Sequence, residues 1–66
     1  MTKEQALKQA RRQWGGTAFV ERDEFGRCVV GCRDFFQGAG ETWFEAHREA
    51  WAAFRIKARE MMGVRL

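Results

Sequence analysis

Two capping signatures stand forty residues apart in this chain: Thr2 three residues before Gln5, and Thr42 three residues before Glu45. In each, a threonine hydroxyl and a downstream amide or carboxylate satisfy backbone N–H groups that a helix start leaves unpaired. Two helices are therefore fixed near the ends of a 66-residue chain, and everything else must fit between them. After Thr2, the residues Ala6, Leu7, Ala10 and Trp14 recur at helical spacing and form one apolar stripe. Gly15-Gly16 ends the stripe, because glycine enters the left-handed conformation cheaply. The expected first helix spans 2–14.

After Thr42, the residues Trp43, His47, Trp51, Phe54, Ala58 and Met61 share one arc at 100° per residue. The expected helix spans 43–62, with Gly63 as its C-terminal cap. Spacing assigns Trp51, Phe54 and Ala58 to the core. Arg48, Arg55 and Arg59 fall on a second stripe, roughly 100° around the helix.

The middle of the chain reads as a hairpin. In "TAFVERDEFGRCVVGCR" two apolar-alternating runs flank Asp23-Glu24-Phe25-Gly26-Arg27. Glycine at the fourth of these positions suits a type I turn followed by a left-handed bulge. The expected strands span 17–23 and 27–33, with Asp23 opposite Arg27, Val20 opposite Val30, Phe19 opposite Gly31 and Ala18 opposite Cys32. One face then carries Ala18, Val20, Cys28, Val30 and Cys32, apolar enough to meet the helices. The other carries Thr17, Phe19, Glu21, Arg27, Val29 and Arg33. A slip of one residue would exchange the two faces. The "RDFF" stretch is long enough for a short third strand over 34–37, an element the pattern leaves open. Gly38-Ala39-Gly40 reads as a turn. The expected fold is α+β: one small domain over 1–66, helix–hairpin–(short third strand)–helix, with both helices on one face of an antiparallel sheet.

Composition narrows the function. The longest apolar runs are too short to span a membrane, and "MTKEQALKQARRQW" lacks the apolar run of a secretory signal. The chain is therefore expected in the cytoplasm, with no membrane partner. Cys28 and Cys32 sit on one strand, about 13 Å apart at a rise of ~3.3 Å per residue. That is too far for a disulfide, and no second ligand pair exists for zinc. Buried thiols are expected, with no metal and no cofactor. His47 lies within the apolar arc and reads as a satisfied core histidine. With one histidine, no tyrosine and no serine, no set of convergent catalytic groups emerges, and an enzyme is not expected.

The glycine turn before the second helix, "GAGETWFEAHREA", together with the element order, resembles the double-stranded-RNA-binding domain. That family often reads G-x-G-x-S-K-K-x-A-K here; Gly38, Gly40, Thr42 and Ala46 fall at matching places, and Ala50 among the alanines that follow. The resemblance implies a similar fold. Its duplex-RNA grip is not implied, because Trp43 and Phe44 occupy the places of the paired lysines and His47 replaces the lysine after them. The hairpin tip Glu24-Phe25-Gly26 is also acidic where the family approaches a minor groove. "DEFGRCVVGC" followed by "GAGETWFEA" is also similar to small bacterial antitoxins of the HicB type.

Two functions remain. Nine aromatic rings in so short a chain exceed what its interior can hide. This favours another protein, or a second copy of the chain, as partner, with Phe19, Phe25, Val29, Arg27 and Arg33 as the interaction face. The alternative is nucleic acid, DNA or RNA. Its phosphates would be contacted by Arg48, Arg55 and Arg59 on the second helix and Lys8, Arg11 and Arg12 on the first. A net charge of +3 permits that without requiring it.

Overall fold

A computed structural model describes residues 1–61. The element order is α1 (Lys3–Trp14), β1 (Ala18–Arg22), β2 (Cys28–Cys32), β3 (Phe36–Gly40) and α2 (Trp43–Met61). The strands form one antiparallel sheet in the order β1-β2-β3, and both helices pack on one of its faces. No helix among the described residues is long and apolar enough to cross a membrane.

The first capping box is complete. Thr2 Oγ1 accepts from the Gln5 N–H, and Gln5 Oε1 accepts from the Thr2 N–H. Gly15 closes α1 at φ 92°. The second is shifted by one residue. Thr42 Oγ1 accepts from the Glu45 N–H, but the Glu45 carboxylate reaches back to the N–H of Glu41 rather than that of Thr42. The Thr42 hydroxyl thus satisfies one orphan donor of α2, and the Glu45 carboxylate ties down the residue before the cap. The expected cap at Gly63 and the helix end at residue 62 lie outside the described residues.

The β1–β2 register is the expected one: Ala18 faces Cys32, Phe19 faces Gly31 and Val20 faces Val30. The turn is closed by a bond from the Gly26 N–H to the Asp23 carbonyl, with Gly26 at φ 80°. Asp23 also anchors the loop from its side chain. Oδ1 accepts from the N–H groups of Phe25 and Arg27, and Oδ2 lies 3.1 Å from Arg27 Nε. These bonds hold the Asp23 carboxyl below its ordinary range, the Arg27 N–H contributing most.

The third strand departs from expectation. Residues 33–35 are the turn, Phe35 N–H donating to the Cys32 carbonyl with Asp34 at φ 61°, and the strand runs through the glycines. Gly38-Ala39-Gly40 is thus not a turn but the end of β3, paired with Val30, Val29 and Cys28. The physical reason is α2. A Cβ on Gly38 would fall on the backbone of Glu49 and Ala50, and one on Gly40 would lie 2.7 Å from Glu45 Cβ and 3.0 Å from Ala46 N. Glycines here let the helix backbone lie directly on the strand.

Periodicities match along this contact. Gly40 meets Ala46, Gly38 meets Ala50, and Phe36 meets Phe54 at 5.4 Å between ring centroids. Each step is four residues of helix, about 6 Å, against two residues of strand, about 6.6 Å. The core consists of Ala6 and Ala10 from α1, Trp43, Ala46 and Ala50 from α2, and Ala18, Cys28, Val30, Cys32 and Phe36 from the sheet. Both cysteines are free and buried.

The apolar arc of α2 is rotated from the expected one. Ala46 and Ala50 are its most buried residues, while Trp51, Phe54 and Ala58 are half-buried on the flank. Met61 is exposed, as is Ile56, because the last two turns of α2 run past the start of β3.

Candidate interaction surface

Four of the nine aromatic rings gather at one seam. Trp14, at the end of α1, contacts four rings: Phe36 (centroids 5.1 Å apart), His47 (5.1 Å), Trp51 (5.7 Å) and Phe54 (6.2 Å). The contacts with Phe36 and Trp51 are edge-to-face, an arrangement that contributes about 0.5–1.5 kcal/mol per pair beyond burial. Trp43 is buried with the Arg22 guanidinium over its ring, and Phe19 is half-buried beneath that of Arg33. Three phenylalanines remain exposed: Phe25 (77 %) at the β1–β2 tip, Phe44 (63 %) at the start of α2 and Phe35 (43 %) in the β2–β3 turn.

The expected interaction face is therefore corrected. Val29, placed there by alternation, is buried. It sits on the central strand, where Glu21 and Ala39 flank it from both sides, so its face alone does not decide its exposure. Phe19 offers only what Arg33 leaves uncovered, and Arg27 is tied to Asp23. Beside them, Phe19, Arg33 and Phe35 border a shallow polar hollow with Glu21 and Gln37.

The larger hollow, about 590 Å³, lies between the helices. One wall is Gln9, Arg12 and Gln13 of α1; the other is Phe44, His47, Arg48 and Trp51 of α2, and Met1 also lines it. Two positively charged side chains therefore face each other over an apolar floor, and no lining residue is a carboxylate. Neither Arg12 nor Arg48 has an ion-pair partner among the described residues. Arg55 stands over the Trp51 ring at 5.8 Å, one turn past Trp51, and Arg59 follows a further turn along.

The six cationic candidates are thus partly gathered. Arg12 and Arg48 share the groove, Arg55 and Arg59 extend its α2 wall, and Lys8 joins Arg12 in a smaller adjoining hollow. Arg11 does not join them, being 100° around α1 from Arg12. Sequence reasoning missed Phe44 and Met1 as site residues. The signal was available in Phe44, a large ring at the polar angle of α2.

His47 is a floor residue rather than a fully satisfied core histidine. Its Nε2 lies 3.3 Å from Gln13 Oε1, but Nδ1 is buried with no protein partner, as is the indole N–H of Trp14. Desolvation pushes the His47 pKa below its ordinary 6.5, so the ring is held neutral.

No protein-family model, no curated protein and no solved structure matches this chain.

Proposed function

We propose that this chain is a non-catalytic interaction module that binds protein, a second copy of itself included, through exposed aromatic side chains. The observation that carries this is the exposure of Phe25, Phe35 and Phe44 in a domain whose other six rings are buried or half-buried. Such exposure costs free energy in water unless a partner covers it, at roughly 25 cal/mol per Å² of apolar area. At the places where the double-stranded-RNA-binding family carries paired lysines, Trp43 is buried and Phe44 faces solvent. That helix start presents a ring instead of ammonium groups. Chemistry points the same way: among the described residues the imidazole of His47 has only an amide as hydrogen-bond partner, which neither activates it as a base nor is activated by it.

The test is photo-cross-linking in cells, with a benzophenone amino acid at position 44 and, as control, at the polar position 49. Protein adducts at 44 that are absent at 49 support the reading. Adducts confined to nucleic acid, or none at 44, refute it.

A second reading, contact with nucleic acid, has one observation in its favour: Arg12 and Arg48 share a groove whose α2 wall Arg55 and Arg59 continue. Against it, Trp51 already lies under Arg55 and edge-on to Trp14 and Phe54, leaving little free ring for base stacking. Titration with single-stranded and duplex oligonucleotides at low salt decides it, since phosphate contacts release counterions and weaken steeply with salt.

A further inference from the structure

Resting on the protein-binding reading above, we infer that the occupant of the interhelical groove is the β1–β2 tip of a second copy of this chain. Phe25 enters the hollow, and Glu24 pairs with Arg12 or Arg48.

Both halves of the contact are on one molecule. Phe25 is the most exposed large apolar side chain among the described residues, at 77 %, so it is not docked in its own groove. Its neighbour Glu24 has no ion-pair partner among the described residues, whereas Asp23 is neutralised by Arg27. The tip thus offers one ring and one unpaired carboxylate, with the Arg22 guanidinium behind them, donating to the Gly26 carbonyl and lying over Trp43. The groove offers an apolar hollow and two unpaired guanidinium groups, with no carboxylate in its lining. The Phe25 ring matches the hollow, and the Glu24 carboxylate matches its guanidinium groups.

The tip is also built for presentation. The Asp23 side chain holds the N–H groups of Phe25 and Arg27, and the Gly26 N–H donates to the Asp23 carbonyl. A loop fixed by its own bonds loses little freedom on docking.

Placement permits reciprocity. Arg22, Cys28 and Gly40 lie abreast in the sheet, at the end from which the tip projects. The chain turns into α2 at that same end, where the Arg22 guanidinium covers Trp43 at 5.4 Å, and Phe44 at the groove mouth is the next residue. Tip and groove mouth therefore share one end of the molecule. A two-fold axis beside that end places both contacts at once, as an isologous dimer requires. Two single-ring contacts make a small interface, so the dimer belongs to the weak class.

Sedimentation velocity over a dilution series of the purified chain tests this, with circular dichroism confirming that each variant is folded. Wild type shows reversible dimerisation. Phe25→Ala, Glu24→Arg and Arg48→Glu each weaken it by about tenfold or more, as central contacts do. Phe35→Ala, at the opposite end of the sheet, leaves it unchanged. The Glu24→Arg/Arg48→Glu double variant recovers association relative to either single variant. An equal mixture of Phe25→Ala and Arg48→Glu associates more than either alone, because one intact tip meets one intact groove.

A wild type that stays monomeric at the highest concentration overturns the inference. So does a dimer indifferent to Phe25→Ala and Arg48→Glu, or one weakened equally by Phe35→Ala. In the last two cases self-association survives, and with it the broader protein-binding reading. That reading also survives a monomeric chain if position 44 cross-links to a different protein.

Discussion

Replacing Gly38 by alanine adds one methyl group at a buried position of β3, directly beneath the backbone of α2. The new Cβ falls on Ala50 N and Glu49 C, with Glu49 Cβ at 2.7 Å. Ordinary contact begins near 3.4 Å. The atoms in the way belong mostly to helix backbone, so no rotamer change relieves them. α2 must retreat by roughly 1 Å, and a gap of that size forfeits a quarter to a half of each dispersion contact it opens. The contacts at stake are those of Trp43, Ala46, Ala50 and Phe54 against the sheet. Overpacking in cores typically costs about 1–3 kcal/mol. A clash against rigid backbone belongs at or beyond the upper end, about 2–4 kcal/mol. The entropy lost by the unfolded chain on gaining a Cβ returns only about 0.4–1 kcal/mol.

A chain of this size has a total stability of about 3–10 kcal/mol, so Gly38→Ala removes a large part of it. Urea unfolding followed by tryptophan fluorescence and far-ultraviolet circular dichroism measures the loss. Three controls give an order. Gly40→Ala is milder, since its Cβ meets Ala46 N only at 3.0 Å. Gly16→Ala is near neutral, because nothing lies within 4 Å of its added Cβ. Ala50→Gly in the Gly38→Ala background gives no rescue, because the obstacle is the Ala50 nitrogen and not its methyl group. Stability of Gly38→Ala within about 0.5 kcal/mol of wild type, the spread of ordinary surface changes, would refute the close-packed helix. Rescue by Ala50→Gly would do the same.

Three further outcomes follow from the same packing and bonding. Because burial lowers the His47 pKa below 6.5, its neutral form favours the folded state; that contribution is complete above pH 6.5 and is lost as pH falls through the folded-state value. His47→Gln should flatten the stability–pH curve on the acid side of 6.5, and an unchanged slope counts against the assignment. The Asp23 carboxyl, held low chiefly by the Arg27 N–H, should titrate below 3.8 when followed through the Phe25 and Arg27 amide shifts. Its support of the turn is full above that value and disappears as pH drops through the folded-state pKa, whereas a titration at or above 3.8 contradicts the loop bonding. Cys28 and Cys32 are 2 % and 4 % exposed, so alkylation should proceed only at the rate of global unfolding and accelerate in Gly38→Ala. Rapid stoichiometric labelling of the native chain would show that the sheet face is open.

Local signals in the sequence were strong enough to place both helices and the first hairpin. Capping residues, a stripe at period 3.6 and an Asp-x-x-Gly turn act over a few residues, so each can be read without knowing the rest. The β1–β2 register followed from the turn alone. Gly38 and Gly40 were misread because glycine usually interrupts strands, and only a helix lying on β3 makes it the required residue. That information resides in Ala46 and Ala50, six and twelve residues beyond the glycines they meet, whose small side chains are the other half of the contact. The same blindness displaced the α2 core toward Trp51: large rings weigh more in a periodicity argument than alanines, yet alanines permit the closest approach.

Val29 and Arg11 show why the surface was harder to read than the core. Alternation says which face of a sheet a residue points to, but exposure depends also on which strands flank it, and β2 became central only once β3 formed through the glycines. The groove has the same origin. Glycines on β3 draw α2 onto that edge of the sheet, while α1 packs over β1 and β2. At one end Trp14 fills the resulting gap between the helices. Toward the other, the α1 residues facing across it are Gln9 and Gln13, whose flexible amides do not seal an apolar seam. Enlarging one of them should therefore compete with any occupant without touching the arginines: Gln9→Trp closes the hollow from within, and leaves the fold intact because residue 9 is exposed.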